Sequence, residues 1–301
     1  MSLLPETSTE DRIAALPCWN GQIEIAPLKG GLSNESYLVR DSEGGHVVRF
    51  GKDYPFHHVS RERELMTARA AFEAGFAPRI EYAEPGIMVS AFLTATTLTA
   101  TDVADQRCRV AQLLGRFHRE MAGHVSGPGF IFWPFHVIRD YARTLEAGAS
   151  RMTGEIPTYL ALAAELEAAQ SALPIIFAHN DLLPSNILDD GQRLWLIDFE
   201  YAGFSTAMFD LAGATSNAAL TPDQSDDFLV AYFGAEPSPQ IRRSLASMQC
   251  ASLLREAMWS MVSELYLDAP GADYVGYTQE NLTRLQEALD HYHTVYGKHA
   301  P

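Results

Sequence analysis

Phe177-Ala178-His179-Asn180-Asp181-Leu182-Leu183-Pro184-Ser185-Asn186-Ile187-Leu188, followed after a polar turn by Leu194-Trp195-Leu196-Ile197-Asp198-Phe199-Glu200-Tyr201, is the stretch on which the reading of this chain turns. The apolar runs 174–177 and 194–197 read as short buried strands flanking the turn Asp189-Asp190-Gly191-Gln192, and each run ends on a polar cluster. That pattern suits phosphoryl transfer. A loose transition state leaves the protein little covalent work, so it must orient the nucleophile and neutralise phosphate charge with metal ions. Asp181 is expected as the base beside the substrate hydroxyl. Asn186, through its amide oxygen, and Asp198, through its carboxylate, are expected as ligands of Mg2+, which prefers hard oxygen donors. His179 reads as a brace of this catalytic loop rather than a reacting group. Chance coincidence of these residue types is the competing account, and the second strand ending in Asp-Phe weighs against it.

The spacing His-x-Asp-x-x-x-x-Asn, then Ile197-Asp198-Phe199-Glu200-Tyr201 and Phe209-Asp210, resembles the choline/ethanolamine kinase branch of the aminoglycoside phosphotransferase superfamily. Protein kinases carry His-Arg-Asp and Asp-Phe-Gly instead, and Asn180 and Glu200 stand at the differing positions, which favours a small-molecule kinase. The resemblance implies an α+β, bilobal, protein-kinase-like fold that uses ATP and Mg2+. Its small N-lobe, residues 1–93, would hold a roughly five-stranded antiparallel sheet plus one helix and bind the nucleotide phosphates. Its larger, mainly α-helical C-lobe, residues 94–301, would carry the catalytic loop, metal ligands and acceptor site.

Composition agrees with a soluble enzyme and excludes several alternatives. The chain has 301 residues, 47% of them hydrophobic, enough for one large domain or two lobes. No stretch approaches the roughly 20 apolar residues needed to span a bilayer, and Glu6, Glu10 and Asp11 do not fit a signal peptide, so a cytoplasmic location is expected. Cys18, Cys108 and Cys250 are far apart and lack Cys-x-x-Cys spacing, which gives no support to a disulfide scaffold or zinc site. A formal net charge of −16 argues against a nucleic-acid partner and is compatible with attracting a cationic substrate. Oligomeric state is not readable, and a homodimer is left open.

Taken in order, residues 9–16 read as a leading helix, and 22–28, 35–39 and 46–50 as strands. Gly30, Gly31, Ser33 and Asn34 lie between the first two strands, where paired glycines let a backbone approach phosphates and point amide donors at them. A plain hairpin turn has the same signature, but choline kinases carry a similar Gly-Gly-x-Ser-Asn loop. Arg49, inside Val47-Val48-Arg49-Phe50, is either an edge-strand arginine facing water or the third-strand cation that holds phosphates and pairs with a helix glutamate. The facing helix, residues 60–74, supplies Glu62 and Glu64. Glu62, directly after Arg61, best matches the family's Arg-Glu. Residues 79–82 and 87–92 read as two more strands, and 94–101 as the lobe boundary. Helical periodicity follows over 103–121, 137–149, 157–172, 209–220, 223–233, 239–267 and 274–296.

The acceptor is read from aromatics. A quaternary ammonium offers no hydrogen-bond donor and is held by ring faces, helped by nearby carboxylates. Tyr201, Trp259, Tyr274 and Tyr277 match family counterparts by local pattern, and core packing is the competing role for each. Two departures stand out. Choline kinases show Trp-x-x-Trp where this chain has Glu256-x-x-Trp259, and Asn217 stands where they have an acidic residue. Glu256 is expected to supply the replacement charge. The substrate-binding set is therefore Tyr201, Glu256, Trp259 and Tyr277, for a small cationic alcohol, choline first and ethanolamine second. Alternatives are an aminoglycoside, a thiamine-like compound or another amino alcohol in the same fold, and a nucleotide-binding protein without catalysis.

Overall fold

The computed structural model describes residues 8–28, 35–267, 269 and 271–298. The expected phosphate loop, with Gly30, Gly31, Ser33 and Asn34, lies outside the described residues.

Helix α1 (Thr9–Ala14) starts at Ser8, whose side chain accepts from the Asp11 N–H. Strands β1 (Glu24–Leu28), β2 (Glu35–Arg40), β3 (Gly45–Phe50), β4 (Ile80–Glu84) and β5 (Ile87–Ala91) form one antiparallel sheet in the order β1-β2-β3-β5-β4. Pro27 is tolerated because β1 is an edge strand. Val39, Val48, Ile87 and Val89 bury one face together with Ile13 and Leu16 from the leading segment. Successive side chains alternate across a strand, so burying Val48 turns Arg49 to the other face. Helix α2 (Arg61–Glu73) begins at Ser60, whose side chain accepts from the Arg63 N–H.

After Ala91 the chain leaves this sheet. β6 (Thr96–Thr97) pairs with β8 (Ile187–Asp189), and β8 pairs with β9 (Leu194–Leu196). β7 (Ile175–Ala178) pairs with β10 (Gly203–Thr206), a partner that sequence reading missed. The segment expected as one helix over 103–121 is two, α3 (Ala100–Asp105) and α4 (Arg107–Glu120), because Gln106, at φ −101° and ψ 17°, leaves the helical range. The remaining helices are α5 (Pro134–Ala147), α6 (Ile156–Ala168), α7 (Ala207–Asn217), α8 (Pro222–Phe233), α9 (Pro239–Tyr266) and α10 (Tyr274–Tyr296). The caps are chemical. Thr221 and Gln224 form a capping box at α8, while Ser238 and Asp273 cap α9 and α10. The 28-residue α9 is the spine, packing against α5, α6, α7 and α10. Among the described residues no helix is long and apolar enough to cross a membrane.

One further segment joins the two halves. A short 3-10 turn, Pro55–His57, carries the β3–α2 connection onto α9, where Phe56 stacks on Tyr266 with ring centroids 4.0 Å apart. His57 is buried between the Tyr141 hydroxyl (3.2 Å) and the Ser263 hydroxyl (3.1 Å).

Candidate active site

The loop after β7 is held by its backbone. Asp210, buried on α7, accepts from the N–H groups of His179 (2.8 Å) and Asn180 (2.7 Å). Its other neighbour is His118 Nε2 at 2.8 Å, and His118 Nδ1 meets the Tyr232 hydroxyl at 2.7 Å. Burial works against the Asp210 charge, but His118 and the loop N–H groups hold its pKa below the usual carboxylate value. Asn180 sits at φ 62° and Asp198 at φ 65°, a left-handed conformation uncommon for non-glycine residues and characteristic of functional sites. Asn180 Nδ2 donates to the Tyr201 carbonyl (3.1 Å), and His179 Nε2 donates to the Ile197 carbonyl (2.9 Å). His179 thus ties the loop to the strand end bearing Asp198. Burial keeps its imidazole pKa low. Sequence reading quoted Asp210 only within the family pattern and gave it no role. Its signal was a carboxylate inside the apolar run Phe209-Asp210-Leu211-Ala212.

Asp181, Asn186 and Asp198 converge. Asn186 Nδ2 donates to the Asp181 carbonyl (2.9 Å) and lies 3.3 Å from Asp181 Oδ2, which leaves the amide oxygen as the end able to take a cation. Asp198 offers a carboxylate with part of its surface exposed. Two hard oxygen donors on adjoining turns fit a divalent ion of the Mg2+ type. Burial first, and then the Asp198 charge, raise the Asp181 pKa well above the usual carboxylate value.

Arg49 reaches the same place from β3. Its Nη1 donates to Asp198 Oδ1 at 2.9 Å, and its Nη2 pairs with the Glu64 carboxylate and lies 3.8 Å from Glu200. Arg61 bridges Glu64 (2.6 Å) and Glu200 (3.1 Å). Burial opposes the Arg49 charge, and Asp198, Glu64 and Glu200 outweigh it, holding the guanidinium pKa above its ordinary value. The expectation of Glu62 is corrected here. Two residues on a helix point to nearly opposite sides, so with Glu64 buried toward Arg49, Glu62 is left exposed to solvent.

A cleft opens beside Asp181, walled by Asn217, Arg255, Glu256, Tyr277 and Arg284, and is the candidate acceptor side. The Tyr277 hydroxyl donates to Glu256 Oε1 (2.9 Å), and Arg255 Nη1 donates to Glu256 Oε2 (2.8 Å). Asn217 Nδ2 donates to the Leu182 carbonyl (3.1 Å). The expected aromatic cage takes a different form. Tyr201 and Trp259 are buried and do not line this cleft, and Trp259 Nε1 donates to the Tyr201 hydroxyl at 3.0 Å. The Arg255 guanidinium already lies over the Tyr201 ring, 5.2 Å from its centroid. Tyr274 is buried at 6.2 Å from Trp259, and Tyr277 meets Trp259 edge-on at 6.3 Å. The physical reason is the buried Arg255, which takes a ring face that a ligand cation would need. Sequence reading did not single out Arg255 or Arg284.

A five-stranded sheet set over a helical lobe, with a strand arginine brought to the end of the Ile-Asp-Phe-Glu strand, defines a small-molecule kinase of protein-kinase-like fold. The chain belongs to the phosphotransferase enzyme family, whose model matches residues 24–245. It is 26% identical over 272 residues to a probable ethanolamine kinase of Arabidopsis thaliana, covering 80% of this chain and 70% of that one. The structure is similar to a choline/ethanolamine kinase family protein from Mesorhizobium loti, with a TM-score of 0.74, 26% identity and coverage of 93% and 92%. The fold is shared as well with the choline kinase LicA of Streptococcus pneumoniae, with a TM-score of 0.73, 22% identity and coverage of 94% and 98%.

Proposed function

We propose that this kinase transfers the γ-phosphoryl group of ATP to the hydroxyl of a small amino alcohol, the class containing ethanolamine and choline, with Mg2+ as the metal. The observation that carries this reading is the convergence of Asp181, Asn186 and Asp198 at one end of the Arg49–Glu64 pair. Asn186 and Asp198 would hold the ion, which supplies positive charge against the phosphate oxygens when bound. Arg49, fixed by Glu64, reaches the phosphates from the sheet side. Asp181 faces the acceptor cleft and takes the hydroxyl proton as its oxygen attacks. Asp210 and His179 keep this loop in place through its backbone. The names of the relatives support the amino-alcohol class.

Within that class the cleft favours an ammonium that donates hydrogen bonds. Glu256 and Tyr277 offer polar acceptors, whereas Arg255 already covers the Tyr201 face. A quaternary ammonium has no N–H to give and depends on open ring faces. The test is Mg2+-dependent ATP consumption with ethanolamine, choline, thiamine and an aminoglycoside. Ethanolamine is expected to exceed choline about tenfold in kcat/KM, a difference of about 1.4 kcal/mol. A choline preference would restore the aromatic cage. Activity on the aminoglycoside alone would displace the acceptor class and leave the kinase standing.

A further inference from the structure

The polar groups of the acceptor cleft exceed what a simple cation needs. Arg284 lies on the α10 face that also carries Tyr277 and Asn281, at the spacing of successive turns, and lines the cleft with its side chain half-buried. Among the described residues it has no ion pair or hydrogen bond. Arg255, from α9, also lines the cleft, 4% exposed, and its charge is answered by Glu256 at 2.8 Å while its Nε is buried without a partner. Asn281, 1% exposed, donates through Nδ2 to the Tyr277 carbonyl, and its Oδ1 is likewise buried without a partner. Buried polar groups are rarely left unmade, because each costs its desolvation without return. The unmade groups here are of both kinds. Arg284 and Arg255 Nε call for an anionic acceptor, and Asn281 Oδ1 calls for a donor.

We propose that the physiological acceptor is a hydroxy-amino acid, with its carboxylate held against Arg284 and Arg255 Nε, its ammonium against Glu256 and Asn281 Oδ1, and its hydroxyl toward Asp181. The inference rests on the kinase reading above and narrows its substrate. A purely cationic alcohol would leave Arg284 uncompensated and add a second positive charge beside it. A zwitterion answers both kinds, and planar guanidinium groups suit a carboxylate. In the reaction, the acceptor hydroxyl gives its proton to Asp181 and its oxygen forms the new bond to the γ-phosphorus. The bond from that phosphorus to the β-bridging oxygen breaks, and ADP leaves with the electron pair. The products are ADP and an O-phospho-amino acid.

Matched pairs isolate the carboxylate: L-homoserine against 3-amino-1-propanol, and L-serine against ethanolamine. Each pair differs only by that group. The kcat/KM for the better of the two amino acids is expected to exceed that of its decarboxylated partner at least tenfold. Arg284→Gln should bring the ratio close to one, chiefly by raising the amino acid KM by about ten- to a hundredfold, while Arg284→Lys should restore part of it. A decarboxylated compound used as well as its parent, or an Arg284→Gln variant that shifts both members of a pair alike, would overturn the proposal. Slow Mg2+-dependent hydrolysis of ATP by water, lost in Asp198→Ala, reports on the kinase reading without any acceptor. If hydrolysis is present and neither amino acid is phosphorylated, this inference falls alone. If hydrolysis and every transfer are absent, the kinase reading falls with it.

Discussion

Arg49, paired with Asp198, and Arg284, in the cleft that Asp181 also lines, are treated by the fold in opposite ways. On the phosphate side Arg49 meets Asp198, Glu64 and Glu200, and Arg61 ties the last two together. On the acceptor side Arg284 meets no described carboxylate, and Arg255 keeps one nitrogen unpaired. The phosphate side is a finished electrostatic network whose partners are set before nucleotide arrives, the preorganisation that phosphoryl transfer rewards. The cleft side is left incomplete, and the proposed ligand carries the charges that it lacks. On the proposed reading, the general chemistry is carried by groups that hold one another, and specificity by groups that do not.

The largest expected effect strikes the closed side. Asp198→Ala removes the proposed anionic metal ligand and the partner of Arg49 together, and productive Mg-nucleotide binding should be lost. Calorimetry with and without Mg2+ reads this directly, and unchanged Mg2+-dependent affinity would take Asp198 out of the site. Asp181→Asn follows. Turnover should fall by at least ~10^2 with nucleotide affinity close to wild type, as expected for a positioned base. Near-normal turnover would place the base elsewhere.

A paired substitution then sharpens where the closed network ends. Glu64→Gln should raise the ATP KM by about an order of magnitude, since it leaves the largely buried Arg49 charge short of a partner. Glu62→Gln should leave the ATP KM within error, because its side chain is in solvent. Equal effects of the two would return the helix partner to Glu62.

How much of this could be read from sequence follows the same division. Asp181, Asn186 and Asp198 lie within one short stretch, and the geometry of two small ladders brings them together almost automatically. The sheet and the helical remainder were legible from periodicity, because alternating and helical burial leave different spacings. The choice between Glu62 and Glu64 was not, since both lie in the first turn of α2 and only the docking of that helix decides which one faces Arg49. The acceptor cleft was harder still. Its walls come from α7, α9 and α10, and aromatic residue type alone could not reveal that Trp259 and Tyr201 satisfy each other while Arg255 covers the ring. Asp210 and the Pro55–His57 turn escaped for a related reason, as each works through partners thirty or more residues away in the chain.

That turn supplies the smallest expected effect. His57 lies beneath Trp259, with ring centroids 5.1 Å apart, behind the acceptor side. Burial first, and then the Arg255 and His58 charges, push its pKa from 6.5 down to about 3. Below pH 6.5 the unfolded chain takes up a proton that the folded chain refuses until about pH 3. The folded state is therefore undisturbed above pH 6.5 and loses stability progressively as the pH falls from 6.5 toward 3. At pH 5.5 the loss from this one residue is about 1.4 kcal/mol. Urea unfolding at pH 7.5 and 5.5 should show a smaller pH dependence in His57→Gln than in wild type by about that amount. An identical pH dependence would mean that His57 is protonated in place.

The central claim is that Asp181 stands between a metal-bound nucleotide and an alcohol. Phosphorus NMR of the wild-type protein with ATP, Mg2+ and, in turn, ethanolamine, choline, L-serine and L-homoserine tests it most directly. The account predicts that, above the slow hydrolysis of ATP by water, the γ-phosphate resonance declines as a phosphomonoester resonance and ADP grow together, only when Mg2+ and an acceptor are both present. ATP that persists with every acceptor, or is converted to inorganic phosphate at a rate indifferent to them, would contradict it.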